Sequence, residues 1–152
     1  MAAQMLNSMI STEEEEVHMA TLDVCRINLK NGECSFVKAG AASAFIKRGN
    51  LVEKIRTDSL PLGLMAGEEE RETTRQLRHG DLVILVSDGV VQDMPGGEGE
   101  FFLAQQIEKL SAASPVELAN SLLRYTIGQC QGKIRDDMTV LVAGIWENEE
   151  GD

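Results

Sequence analysis

Residues 81–89 read Asp81-Leu82-Val83-Ile84-Leu85-Val86-Ser87-Asp88-Gly89, and residues 135–146 read Arg135-Asp136-Asp137-Met138-Thr139-Val140-Leu141-Val142-Ala143-Gly144-Ile145-Trp146. The consecutive aliphatics from Leu82 to Val86 predict a strand buried on both faces, and the apolar run from Met138 to Trp146 predicts another. The first strand runs into an aspartate and the second follows two. As antiparallel neighbours, the end of one lies beside the start of the other, so Asp88 meets the Asp136-Asp137 pair at one edge of a sheet. Clustered carboxylates repel unless protonated or bridged by a cation. Hard divalent ions such as Mg²⁺ or Mn²⁺ take oxygen ligands, so this edge is a candidate metal site. Gly89 lets the backbone turn away just beyond the ligand. The plainer alternative is that each aspartate caps a turn at a strand end, where Asp is common.

Outward from these strands the chain alternates strand and helix signals. Ala2–Ile10 has helical spacing, with Met5, Leu6 and Met9 apolar, and Glu13–Glu16 is a run of four acids suited to a solvated loop or helix start. Met19–Asn28 and Glu33–Ala39 read as strands joined at Asn31-Gly32, and Phe45–Arg48 and Leu51–Ile55 as a second hairpin around Gly49-Asn50. Ser59–Met65 is an apolar loop punctuated by Pro61 and Gly63, expected to pack on a sheet, and Arg71–Arg78 alternates weakly as an edge strand should. His79-Gly80 turns the chain into the aliphatic strand that begins at Asp81. The glycine-rich stretch Met94–Gly99 reads as a loop. Phe101–Leu110 is predicted helical on a stripe of Phe101, Ala104, Ile107 and Leu110. Ser114-Pro115-Val116-Glu117 opens a second helix, with Ser114 at the N-cap and Glu117 completing a capping box. Its stripe is Val116, Ala119, Leu122, Leu123 and Ile127, with Gly128 to end it. Hairpin-linked strands enclosing a late pair of helices imply an α+β fold, an antiparallel sheet covered by helices.

Composition narrows the function. The chain has 152 residues, 43% hydrophobic and 26% charged, and 14 basic against 25 acidic side chains give a net charge of −11. Such a balance disfavours phosphate backbones and anionic membrane surfaces, so neither nucleic acid nor membrane contact is expected. No apolar run approaches the ~18 residues of a spanning helix, and the first residues lack the charged and apolar regions of a signal peptide. Cys25, Cys34 and Cys130 show no CxxC spacing. A two-residue turn at Asn31-Gly32 pairs Lys30 with Glu33 and Cys25 with Lys38, leaving the first two thiols roughly 13 Å apart and unable to bridge. His18 and His79 are expected at the surface, no serine or cysteine has a nucleophile's context, and Gly96-Gly97-Glu98-Gly99 lacks the lysine of a phosphate-binding loop. Most of the seven methionines are expected to fill the core.

Val86-Ser87-Asp88-Gly89-Val90 and Arg135-Asp136-Asp137-Met138-Thr139-Val140 resemble the last two metal motifs of the metal-dependent protein phosphatases of the 2C class, the PPM family. The helix opening at Ser114-Pro115-Val116-Glu117-Leu118-Ala119 is similar to the one those bacterial enzymes place before the final motif. Ala20-Thr21-Leu22-Asp23, Lys38-Ala39-Gly40-Ala41-Ala42, Phe45-Ile46-Lys47-Arg48 and Leu60-Pro61-Leu62-Gly63 resemble one branch, the stage II sporulation protein E phosphatases. The resemblance runs from about Leu6 to Trp146. It implies an αββα sandwich of largely antiparallel sheets covered by helices, with two Mn²⁺ or Mg²⁺ ions activating water against a phosphoserine. By motif match Asp88 and Asp136 are the metal-binding, catalytic residues, with Gly89 and Asp137 supporting; substrate-binding residues are not indicated. The branch further implies a phosphorylated anti-sigma-factor antagonist as substrate, activation of a sporulation sigma factor, dimerisation, and a cytoplasmic domain of a membrane-anchored protein.

The chain departs from the pattern in one consequential way. Family members carry an earlier Asp-Gly motif whose aspartate bridges both metals, and no such motif precedes Met19. The expectation is a single domain over residues 1–152 that is the C-terminal portion of a 2C-type phosphatase domain, inactive by itself as a protein serine/threonine phosphatase. The alternative is a non-catalytic protein-interaction module on the same fold. A smaller departure is Ser43, where the branch usually has proline.

Overall fold

The computed structural model describes residues 2–10, 18–64, 72–92, 98–111, 114–130 and 133–146. Its elements run α1 (Ala2–Ile10), β1 (Leu22–Ile27), β2 (Glu33–Ala39), β3 (Ala44–Arg48), β4 (Leu51–Ile55), β5 (Glu72–Gln76), β6 (Leu82–Val86), α2 (Gly89–Gln92), α3 (Gly99–Lys109), α4 (Pro115–Gln129) and β7 (Val140–Gly144). They fall into two compact units, residues 1–41 with 57–77 and residues 42–56 with 78–152. The acidic run 13–16 and most of the glycine-rich loop, residues 94–97, lie outside the described residues.

The first unit is a three-stranded antiparallel sheet in the order β1-β2-β5. Strand β5 lies at its edge, as its weak alternation predicts. One face carries Ala39, Leu22 and Val37 and packs with Ile10, Ala20 and Leu62, so the 59–64 segment does lie on the sheet. The loop is fastened by the paired backbone bonds between Ala20 and Leu62 and by Asn7 Oδ1 of α1, which accepts the Gly63 N–H at 2.7 Å.

The β1–β2 hairpin corrects the expected register. Asn28 N–H donates to Glu33 O, and the ladder pairs Ile27 with Cys34 and Cys25 with Phe36. The loop therefore holds four residues, 29–32, rather than two. Asn31 Oδ1 accepts the Glu33 N–H and Asn28 Oδ1 accepts the Lys30 N–H, side-chain turns that stabilise the longer loop. A slip of two residues preserves which face each side chain occupies but moves the cysteines. Their Sγ atoms are 3.3 Å apart, both unbridged, instead of well separated.

The second unit is a four-stranded antiparallel sheet in the order β4-β3-β6-β7. Gly49-Asn50 forms the expected two-residue turn, with Arg48 opposite Leu51 and Gly49 in the left-handed region at φ 58°. Phe45, Ile84 and Val142 stand in one row across the sheet, and Val86, Val90, Leu103, Ile107, Leu118 and Leu122 complete the buried core. Strand β6 has a neighbour on each side and is buried on both faces, the latter as predicted. Strand β7 is not: it takes the edge, and Leu141 is half-exposed while Val140 and Val142 face the core.

Helices α3 and α4 exist where predicted, with stripes only partly as expected: Ala104, Ile107 and Leu110 of the α3 stripe pack on the core and Leu122 is buried in α4, as predicted. In α3 the buried positions are Gly99, Leu103 and Ile107, and Phe101 is exposed with its ring edge-on to Phe102. In α4 they are Leu118, Leu122 and Thr126, whereas Val116 and Ile127 are exposed. Thr126 fits because its hydroxyl donates to Leu122 O in the preceding turn, which satisfies the buried group. Gly128 lies inside α4, which ends at Cys130 instead. The predicted N-cap holds: Ser114 Oγ accepts the Glu117 N–H, with Pro115 next in the first turn. At the other end of α3, the buried Lys47 Nζ donates to the terminal carbonyls of Ile107 and Glu108. No described methionine enters the buried core; Met138 packs against its margin while Met5, Met9 and Met19 are exposed.

One ion pair anchors the entry to β6. Asp81 is fully buried and receives Arg48 Nε at 2.8 Å, Arg48 Nη2 at 2.6 Å and the Arg78 backbone N–H at 2.8 Å. Burial pushes the Asp81 carboxyl upward, but the hydrogen bonds from Arg48 and Arg78 outweigh it and hold the group below the usual carboxylate range. A depressed folded-state value means the stabilisation is complete above the unfolded value of about 4 and is lost as pH falls through the folded one. Replacing Arg48 by Met removes the fork and leaves a buried carboxylate. Because Arg48 is itself 40% exposed, the expected loss is discounted to about 2 kcal/mol at pH 7. Urea unfolding across pH should show the gap between wild type and Arg48→Met narrowing as pH falls from 7 to below about 4, because the unpaired buried carboxyl of the variant is relieved by protonation first and the wild-type fork is lost last; a gap that does not change with pH would refute this account.

Candidate metal-binding edge of the second sheet

The pairing of β6 with β7 decides where the acidic residues go. The ladder runs from Leu82 opposite Gly144 to Val86 opposite Val140, so the residues after β6 and before β7 emerge at the same sheet end. Ser87 extends that pairing beyond the strands. Its N–H donates to Thr139 O at 3.0 Å, its Oγ accepts the Thr139 N–H at 2.9 Å, and its hydroxyl donates to Asp137 O at 3.1 Å. Residues 86–89 and 136–139 are thereby held side by side by three hydrogen bonds from one small residue.

Beyond Ser87 the chain turns at once into α2. Val90 N–H donates to Ser87 O, and the N–H groups of Val91 and Gln92 both donate to Asp88 O. Asp88 stands exposed at the start of this turn, and its Oδ1 accepts the Gly89 N–H at 3.2 Å. Asp136 is likewise exposed, and its Oδ1 accepts the Asp137 N–H at 2.8 Å. The local bonds orient both carboxylates and still leave lone pairs on each. Asp137 takes part mainly through its backbone carbonyl. The structure thus brings Asp88, Gly89, Asp136 and Asp137 to one sheet end.

The reason for Gly89 differs from the expected one. Its φ is not positive; it is buried and opens a helix. A Cβ there would lie 2.4 Å from Asp137 O and 3.3 Å from Asp136 C. Glycine is required because the backbone of the second motif crosses directly over it. Ser87 is the residue that sequence reasoning passed over. The signal available was a hydroxyl at a strand end, where Ser commonly bridges to backbone. Glu100 was also missed: its Oε1 accepts the Ser43 N–H at 2.8 Å, a bond that the proline usual at that position has no N–H to make. Burial raises the Glu100 carboxyl, and the Ser43 bonds with Lys54 nearby more than compensate, leaving it below its ordinary value.

The donor chemistry at the sheet end fits a hard divalent cation, because every available group is an oxygen. The number of donors is small. Among the described residues no three or more His, Cys, Asp and Glu side chains come together in a metal-binding group. Two carboxylates are a usual protein contribution to one Mg²⁺-like ion that keeps most of its waters. They are too few for a bridged pair.

The glycines provide a stability test of this geometry. Gly89→Ala forces Cβ into the Asp137 carbonyl and should cost about 2 kcal/mol. Gly128→Ala, in α4 with nothing within 4 Å of its Cβ, should stabilise by about 0.5 kcal/mol through helix propensity. Denaturant midpoints of the two variants should therefore move in opposite directions.

Comparison with known proteins places this edge in context. The chain matches the family model for stage II sporulation protein E (SpoIIE) over residues 1–146. It is 33% identical over 148 residues to the stage II sporulation protein E of Bacillus subtilis, covering 97% of this chain and 18% of that one. It therefore spans about a fifth of that relative. The solved PP2C phosphatase domain of Bacillus subtilis SpoIIE, with a fragment of its regulatory domain, is 33% identical and superposes with a TM-score of 0.88 over 97% of this chain and 45% of that one. A Mn-presoaked structure of the same phosphatase domain is 31% identical, with a TM-score of 0.79 over 99% of this chain and 68% of that one. The fold is accordingly the α+β fold of 2C-type phosphatases, as the motif order implied, and the chain belongs to the stage II sporulation protein E family.

Proposed function

We propose that this chain supplies the C-terminal portion of a metal-dependent protein serine/threonine phosphatase domain. The observation that carries the reading is the Ser87 clamp, which puts Asp88 and Asp136 on adjacent segments at one end of the β6–β7 pair. Asp88 and Asp136 would hold Mn²⁺ or Mg²⁺. Asp137 and Gly89 support them, Asp137 through its N–H to Asp136 Oδ1 and Gly89 by admitting the Asp137 carbonyl. Divalent ions, when bound, supply Lewis acidity and charge neutralisation for transfer of a phosphoryl group to water. The two exposed carboxylates position that charge, and Ser87 keeps their separation fixed by coupling the segments through backbone. The family's earlier Asp-Gly motif would be needed to hold a second ion, and none precedes Met19 in these residues, so the chain alone is inactive in this reading.

The finer assignment follows the branch. The substrate is a phosphoserine protein, an anti-sigma-factor antagonist, whose dephosphorylation activates a sporulation sigma factor. The enzyme acts as a homodimer in the cytoplasm as part of a membrane-anchored protein. No described helix is long and apolar enough to cross a membrane. The competing reading, an interaction module without catalysis, is favoured by the small donor set among the described residues.

Two measurements separate them. Titration of the chain with Mn²⁺ should show weak binding at one site that Asp88→Asn abolishes. Phosphate release from a phosphoserine protein in Mn²⁺ should be at background for the chain alone. It should appear when the preceding part of the Bacillus subtilis phosphatase domain is joined to its N-terminus. Asp88→Asn or Asp136→Asn in that chimaera should then lose about 100-fold or more, whereas Asp137→Asn, which keeps both backbone groups, should change the rate little. A well-folded chimaera that binds Mn²⁺ but releases no phosphate would leave the interaction module as the better account.

A further inference from the structure

The four-residue hairpin loop sets up a second chemical group, far in sequence from the aspartates. Cys25 lies opposite Phe36 and Cys34 opposite Ile27, so the thiols are diagonal neighbours on one face of the β1–β2 ladder. Diagonal neighbours in a flat ladder stand about 7–8 Å apart at the backbone, at the edge of what a disulfide spans. Right-handed twist shortens one diagonal at the expense of the other. The Sγ–Sγ contact of 3.3 Å shows that the cysteines occupy the short one. Only about 1.3 Å of closure separates that contact from a covalent S–S bond. Both sulfurs are free thiols, Cys25 partly accessible and Cys34 fully buried.

We propose that Cys25 and Cys34 are a modification site, a dithiol that low-molecular-weight disulfides oxidise to a cross-strand disulfide between β1 and β2. Accessibility orders the steps. The Cys25 thiolate attacks one sulfur of the small disulfide, forming a mixed disulfide and expelling one small thiolate. Cys34 then gives up its proton and attacks Cys25 Sγ, which expels the second small thiolate and forms the internal bond. Two protein thiols are oxidised, one small disulfide is reduced to two thiols, and the two protons go to the departing thiolates. Cys34 has no small-molecule access of its own, so its partner can only be Cys25.

The reaction is slow at neutral pH. Burial pushes both thiols up, Cys34 to about 12 with its hydrogen bond to Cys25 adding to the rise. For Cys25, Cys34 and Lys38 partly offset burial and the nearby Asp23 charge. Thiolate is therefore scarce, and the pair responds to sustained rather than brief oxidation. Cys130 is a built-in control: it is buried in the other unit, where its Sγ donates to Thr126 O at 3.2 Å.

The test uses the intact folded chain with oxidised glutathione, followed by alkylation, intact mass and a tryptic map. Arg26 and Lys30 lie between the cysteines, so trypsin separates residues 1–26 from residues 31–38 unless a disulfide joins them. The expected product has lost two hydrogens, keeps one alkylatable thiol at Cys130, and joins those two peptides. Cys34→Ala should stop at a mixed disulfide on Cys25, and Cys25→Ser should leave Cys34 reduced. Far-UV circular dichroism before and after oxidation establishes that the folded chain reacted. The proposal fails if the folded wild type retains three alkylatable thiols under conditions that oxidise the urea-unfolded chain. It fails equally if the bond formed includes Cys130.

Discussion

The contact between Gly89 and the Asp137 carbonyl is the constraint on which the second unit depends. Two backbone segments cross with room for a hydrogen atom and nothing larger. That approach is possible only because β6 and β7 are antiparallel and because Ser87 fastens Asp137 and Thr139 before α2 begins. The position of α2, and through it of the buried Val90, follows from the same crossing. Packing and chemistry therefore meet at one point. The core side of this junction is aliphatic, whereas the solvent side carries Asp88, Asp136 and Asp137. A change that separates the segments loosens the core margin and the acidic edge together.

Buried polar groups fix the rest of this unit more narrowly than its aliphatic core can. Apolar packing tolerates substitutions of similar volume, but a buried carboxylate or ammonium admits few arrangements. Asp81 ties the start of β6 to the end of β3 through Arg48, and Lys47 one residue earlier ties β3 to the last carbonyls of α3. Side chains alternate between faces along a strand, so adjacent Lys47 and Arg48 serve different neighbours. Glu100 adds a third tie, holding the Ser43 N–H just before β3. Strand β3 is thus fixed at both ends by charged partners, and β6 inherits its register from it.

Strands and helices were legible in the sequence where a strong local signal had no competitor. The aliphatic run of β6 and the glycine turn between β3 and β4 are such cases, and the Ser114 cap is another. What was not legible depended on partners remote in sequence. The α4 stripe came from counting Val116 and Ile127 as buried, yet the face that packs is Leu118, Leu122 and Thr126, offset around the helix. Hydrophobicity alone could not select it, because a threonine that bonds its own preceding turn is admitted to the core as readily as an aliphatic. The acidic edge is legible from topology, strand end beside strand start. The role of Gly89 within it is not, because local sequence carries no information about which backbone crosses above a residue.

The hairpin register shows how a small error can leave the fold intact and change its chemistry. An Asn-Gly pair is a strong two-residue turn signal, and here it occupies the last half of a four-residue loop instead. Side-chain acceptors on Asn28 and Asn31 stabilise the longer loop, and neither is visible to a rule that reads the dipeptide alone. Because the slip is even, every inward side chain stays inward, so burial patterns and the hydrophobic core are blind to it. Position along the ladder is not preserved, and reactions between side chains depend on it. Asp23 stands directly opposite Lys38, and Cys25 meets Cys34, only in the observed register. Chemistry on a sheet is thus set by a quantity that the hydrophobic pattern constrains only modulo two, and turn side chains supply the missing information.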